Sequence, residues 1–226
     1  MSNLFALLKE SSFLVSDQFY KTYRLFFNEE HLTTFCQKLI QYQNEGLASK
    51  ERLPFFDKEC TPSLQDAYIF FENSMNDWKK EIKANGLLAK EFARSIEAAG
   101  IENILLLMGQ RLTPGSVTDV IPPLQITLIE SASKIFDQTL TVAAREWTKH
   151  TNRSQDSFWG KIEGDNEFKN RKAISFIEHI LHHATWWNVY YHFKHQLVFE
   201  VRISTGHGAR WTSDGQKFIG FIEPFI

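Results

Sequence analysis

Residues 196–222, QLVFEVRISTGHGARWTSDGQKFIGFI, decide how the chain is read. Leu197, Phe199, Val201 and Ile203 alternate with Val198, Glu200, Arg202 and Ser204, the period-two pattern of a half-buried strand. Thr205-Gly206-His207-Gly208 reads as a turn. Asp214-Gly215 is a strong two-residue hairpin signal, because a type I′ turn needs positive φ at both positions and this pair adopts it cheaply. The pattern predicts a three-stranded antiparallel meander at about 196–204, 209–213 and 216–222.

With Gly206-His207 and Asp214-Gly215 as the two turns, Arg202 falls opposite Trp211 and Trp211 opposite Phe218. Glu200, Arg202, Ser204, Trp211 and Phe218 then share one face. Leu197, Phe199, Val201, Ile203, Ile219 and Phe221 share the other, the core side, with Arg210 as an intruder that needs a partner such as Glu223. The first face reads either as a solvated face with Arg202 stacked on Trp211, or as a floor for a ligand: Arg binds carboxylate or phosphate in bidentate fashion, and a Trp face stacks on a ring. Gly206 and Gly208 flank His207 and leave the backbone bare for close approach.

Upstream of the meander the period is helical. A helix is expected over about 167–188, with Ala173, Ile177, Ile180, Leu181, Ala184 and Trp187 as its core stripe. His179, His182, His183 and Trp186 lie on the opposite side. Imidazoles three and four residues apart can share a metal, but the zinc-protease pattern requires Glu after the first His and Ile180 stands there. These histidines are therefore read first as a helix face and only last as metal ligands. Helices are also expected at 11–27, 29–42 with Asn28 as cap, 61–84, 87–99 closed by Gly100, 101–108, 124–136 and 138–149. The loop 112–118 has one Gly and no Lys, so it is a connector and not a phosphate-binding loop. The fold class is α+β: a mainly helical body with a small C-terminal three-stranded antiparallel meander packed on it. Residues 1–144 read as scaffold and 145–226 as the part that carries the site, within one continuous globular domain.

Charge and composition support that division. Of 226 residues, 43% are hydrophobic and 23% charged, ordinary globular usage that excludes a disordered or fibrous chain. Residues 1–144 carry a net −4 and residues 145–226 a net +2, with seven of the eight His and five of the six Trp in the second part. Lys149, His150, Arg153 and Ser154 form a basic cluster after a helix, read either as cations that a helix C-terminus favours or as a second anion clamp. Histidine is the side chain suited to proton transfer near neutrality, which makes His150 and His207 the candidate catalytic acid and base. Lys149, Arg153, Trp186, Glu200, Arg202, Arg210 and Trp211 are the candidate ligand contacts.

Cys36 and Cys60 lie far apart and lack zinc-finger spacing, as idle thiols of a reducing compartment do. Residues 1–16 have no early basic cluster and do not resemble a cleaved export signal, and no apolar run approaches the ~20 residues of a membrane span. A soluble cytoplasmic protein without cofactor is expected. Its leading function is a pocket for a small anionic ligand, in a hydrolase or transferase. The alternative is a non-catalytic module that binds a protein partner through an aromatic C-terminal surface, and the third is a metal-dependent enzyme using the helix histidines. Trp186, Trp187, Tyr190, Tyr191, His192 and Phe193 read as core between the last helix and the sheet; stacking on bases is the alternative, but a net +2 argues against nucleic acid as partner, since phosphate tracking wants a strong basic field.

Overall fold

The computed structural model describes residues 4–47, 52–80, 84–152 and 157–224. The chain divides into two compact units, Met1–Lys50 with Cys60–Gln110, and Glu51–Glu59 with Arg111–Ile226.

The first unit is helical throughout its described residues: α1 (Leu4–Ser11), α2 (Asp17–Thr22) followed by a 3-10 turn (Arg24–Phe27), α3 (Glu29–Glu45), α4 (Leu64–Lys80) and α5 (Asn85–Leu107). The expected helix over 11–27 is two short pieces. α2 opens after Ser16, whose hydroxyl accepts from the amide of Phe19. Asn28 caps α3 as expected, accepting from the Glu30 amide at 3.0 Å. Gly100 takes φ 68°, ψ 165°, outside the helical region, and divides α5 into two helical segments, where the sequence placed a closing glycine. Phe26, Phe35, Phe71 and Phe92 fill the core, with edge-on ring contacts of 5.6 Å (Phe26–Phe35) and 5.3 Å (Phe35–Phe71).

The second unit contains α6 (Gln125–Ser133), the short strands β1 (Ile135–Asp137) and β2 (Leu140–Thr141), α7 (Val142–Thr151), a 3-10 turn (Ser157–Trp159), α8 (Asn166–His182) and strands β3 (Ala184–His192), β4 (Gln196–Ile203), β5 (Gly208–Thr212) and β6 (Phe218–Ile222). The last four form one antiparallel sheet in the order β3-β4-β5-β6. Helices α6, α7 and α8 cover one face of it. There Trp147, Trp159, Ile177, Ile180, Phe199, Val201, Trp211 and Phe221 make a continuous core. The indole of Trp211 donates to the Leu128 carbonyl at 3.1 Å, and that of Trp147 to the Trp159 carbonyl at 3.0 Å, so both rings are buried with their N–H satisfied.

The meander is real, but it has four strands and not three. The helix expected to reach residue 188 ends at His182, and residues 184–192 are β3. Thr185, Trp186, Trp187, Val189, Tyr190 and Tyr191 are β-branched or aromatic, the types that fit a pleated surface. The outer edge of β3 is covered by the segment 111–117: the Arg111 amide donates to the Trp187 carbonyl at 3.0 Å and the Val117 amide to the Val189 carbonyl at 2.8 Å. The 112–118 loop therefore does more than connect.

The β4–β5 register also differs from expectation. Glu200 pairs with Arg210, Phe199 with Trp211 and Arg202 with Gly208. The turn is longer than two residues, with the Ile203 amide donating to the His207 carbonyl at 2.9 Å. An odd shift turns every β5 side chain to the other face. Trp211 goes to the core, and Arg210 joins Glu200 and Arg202. The second turn lies where expected, with Trp211 opposite Phe218. Gly215 alone has positive φ there, 71°, so the turn is not type I′.

Candidate functional site

Two clusters of charge sit on β4 and its neighbours. The first is built on Glu200, 1% exposed. Its Oε1 accepts from Arg202 Nε at 2.6 Å, and its Oε2 accepts from Arg210 Nε at 2.7 Å and from the Tyr190 hydroxyl at 2.6 Å. Arg210 Nη2 also reaches Oε2. Burial by itself would raise the Glu200 pKa, but the two guanidinium groups and the phenol hold the carboxyl below the ordinary carboxylate range. Burial and the Glu200 charge push the Tyr190 phenol well above its usual value, so it stays a donor. Arg210 pairs with Glu200, not with Glu223.

The second cluster gathers around Glu223, just beyond β6. His150 comes from the last turn of α7, and its Nε2 lies 2.8 Å from Glu223 Oε1. His207 comes from the β4–β5 turn, and its Nε2 lies 3.8 Å from Glu223 Oε2. The Trp159 indole donates to Oε1 at 3.2 Å. The His207 ring is set by Thr205 Oγ1, 2.8 Å from its Nδ1, and by Phe158, stacked on it at 3.9 Å. Trp159 meets the His150 ring edge-on at 4.8 Å. The Glu223 side chain is 34% exposed, that of His150 19% and that of His207 7%, so solvent reaches the carboxylate first and His207 least.

Arg202 ties the clusters together. One nitrogen, Nη1, donates to the Gly206 carbonyl at 2.5 Å and to the Glu223 carbonyl at 2.6 Å, while Nε holds Glu200. It therefore fixes the turn that carries His207 and the backbone that carries Glu223. The glycines beside His207 serve the same packing. A Cβ on Gly208 would lie 2.2 Å from the Val201 carbonyl oxygen, and one on Gly206 2.9 Å from Pro224 Cβ, so the bare backbone is used by the protein itself.

The expected site residues are thus placed as follows. His150 and His207 are brought to one carboxylate. Lys149, on the same turn of α7 as His150, binds Glu146 at 3.1 Å. Glu200, Arg202 and Arg210 share one network, but Arg202 is buried and spent on internal partners. Trp186 is buried on β3 with the Arg202 guanidinium 6.0 Å from its ring, replacing Trp211 as the aromatic neighbour of that arginine. Trp211 is fully buried in the core, so it is no ligand floor. Arg153 lies outside the described residues. His179 and His182 end α8, His183 caps it, and Trp186 is no longer on that helix. Among the described residues no group of three or more His, Cys, Asp or Glu is arranged to hold a metal ion. No helix among them is long and apolar enough to cross a membrane. Glu223 is here the centre of the imidazole cluster, and Tyr190, Thr205, Phe158 and Trp159 supply contacts the sequence alone does not single out.

A carboxylate flanked by two imidazoles, reached by solvent and held through its backbone by one buried arginine, has the groups that proton transfer requires. Residues 129–223 match the family described as the CdiA C-terminal tRNase toxin domain. The match spans less than half of the chain and includes His150, Glu200, Arg202, His207 and Glu223; it is family-level evidence for a nuclease, hence a hydrolase, domain. No curated protein and no solved structure matches the chain. The match corrects the expectation that nucleic acid is disfavoured as a partner. A net +2 is a sum over the whole segment and does not report where its cations stand on the surface.

Proposed function

We propose that the second unit is a ribonuclease directed at tRNA, and that Glu223 and His150 carry its acid–base chemistry. The observation that carries this reading is the 2.8 Å contact of His150 with a carboxylate that also faces His207, inside the segment similar to a tRNase domain. Glu223 takes the proton of a ribose 2′-hydroxyl as that oxygen bonds to the adjacent phosphorus. The bond from phosphorus to the 5′ oxygen breaks, and the imidazolium of His150 gives its proton to the leaving oxygen. The products are a 2′,3′-cyclic phosphate and a free 5′-hydroxyl. His207, nearly buried behind Glu223, is a positioning residue: its ring stands beside the carboxylate and is itself held by Thr205 and Phe158. Arg202, Glu200 and Arg210 keep the frame rigid.

The test is cleavage of tRNA by purified wild type and by Glu223→Gln, His150→Ala and His207→Ala, with end-group analysis of the fragments. Loss of an acid or base of this kind is typically 10²–10⁴-fold, expected for Glu223→Gln and His150→Ala. His207→Ala should cost less and alter the pH profile. An RNA with 2′-deoxyribose at the cleaved position should resist. Cleavage of that RNA, or full activity of Glu223→Gln, rejects the mechanism.

A further inference from the structure

A cavity of about 420 Å³ opens between the end of α6, the start of α7 and the β5–β6 turn. Its volume lies within the range of small-ligand sites. Lys134, Arg145, Lys217 and His195 line it, with Phe136 and Phe218 as apolar walls. Its acid, Glu146, is already occupied by Arg145 at 2.6 Å and by Lys149 at 3.1 Å. Asp214 lies near Lys134 outside the lining. The Arg145 guanidinium carbon stands 3.8 Å from the centroid of the Phe136 ring, and that ring is 50% exposed. A lone phosphate would need the cations but not the ring; an apolar ligand would need the ring but not the cations.

We propose that this cavity holds a nucleotide of the RNA strand flanking the scissile phosphate, with Lys134 and Lys217 on the phosphate and the Phe136–Arg145 pair stacked on the base. Exposed aromatic and guanidinium planes are how proteins hold unpaired bases. The placement follows from α7. Arg145 lines the cavity and His150 lines the Glu223 cluster, five residues on, which is about 7.5 Å of helix rise and about 140° of turn about the helix axis. A strand joining the two therefore crosses α7 obliquely, over the side that carries Lys149. The assignment rests on the ribonuclease reading, and its test separates the two.

Binding is measured by fluorescence anisotropy with labelled tRNA across a salt series, all proteins carrying His150→Ala so that the RNA stays intact. Lys134→Glu with Lys217→Glu should weaken binding at least tenfold. It should also flatten the dependence of log affinity on log salt by about 1.4, roughly 0.7 for each lost single-strand phosphate contact. Phe136→Ala should weaken binding about tenfold while leaving the salt slope unchanged, and it decides the matter if the double variant fails to fold in a thermal melt. Lys169→Glu with Arg171→Glu on α8, the same change in charge, should shift affinity less than about threefold. If the cavity variants bind no worse than this control, or if the parent protein binds no tRNA, the assignment is overturned. If they bind worse while Glu223→Gln and His150→Ala still cleave, the cavity stands and the catalytic reading falls.

Discussion

The two units spend their interiors differently. Among the described residues, the first buries no Asp, Glu, Lys or Arg; its buried polar groups are hydroxyls, the Gln110 amide and His31. The second buries Arg111, Glu200 and Arg202. Arg111 alone binds Glu59 with two nitrogens and three further backbone carbonyls of residues 52–54. Removing such charges from water costs several kcal/mol per ion, and well-packed apolar side chains of similar volume are often at least as stabilising. The first unit is built as a fold needs to be built. The second departs from that economy twice: at Arg111, which ties down residues 52–59, and at Glu200 and Arg202, beside the turn and strand end that carry His207 and Glu223.

The contrast is tested most severely at Glu200. Glu200→Gln leaves two guanidinium groups without their counter-charge and should cost about 3–5 kcal/mol. Urea melts followed by tryptophan fluorescence measure it, since five of the six Trp lie in the second unit. A loss below about 1 kcal/mol would erase the difference between the units. Leu39→Ala, in the apolar interior of the first, should cost about 2–5 kcal/mol by transfer and cavity terms alone.

Acid sharpens the same comparison. The Glu200 carboxyl titrates lower in the fold than in the unfolded chain, so its contribution is present above the unfolded value of about 4.3 and is lost as pH falls through the folded value. The gap in unfolding free energy between wild type and Glu200→Gln should therefore shrink below about pH 4, while the Leu39→Ala gap stays level. Gly208→Ala should cost about 1–3 kcal/mol, because its Cβ meets the Val201 carbonyl oxygen, and should loosen His207. The smallest effect belongs to Asp214→Asn. The Thr212 hydroxyl and the Gln216 amide hold that carboxylate below its ordinary range at an exposed turn, and the change should cost about 0.5 kcal/mol or less by the same melts.

Alternation located three strands to within about two residues of their observed ends, since Leu197, Phe199, Val201 and Ile203 report which side is wet and which is dry. The same alternation hid β3. Trp186, Trp187, Tyr190 and Tyr191 put aromatic rings on both faces, and a strand without apolar–polar alternation loses the signal that separates it from a helix. Faces on β5 were illegible because the length of the Thr205–Gly208 turn decides them. Arg210 among apolar residues was the warning, and a shift that places it beside Glu200 removes it. His150 and His207 were legible as chemistry, but their meeting was not. Residues 57 positions apart along the chain are joined by Glu223 only once the sheet has brought its last strand back beside α7.

That joining has a consequence for when the cluster exists at all. A chain synthesised as far as residue 222 already contains both imidazoles, but not the carboxylate that joins them. The carboxylate is added after β6 and takes its position only when Arg202 grips its backbone, a pairing that spans 21 residues and two hairpins. Contacts between such distant parts of a chain form late, because loop closure precedes any reward for them. The growing chain therefore carries both imidazoles before their carboxylate, and the cluster takes its arrangement only once β6 has paired with β5.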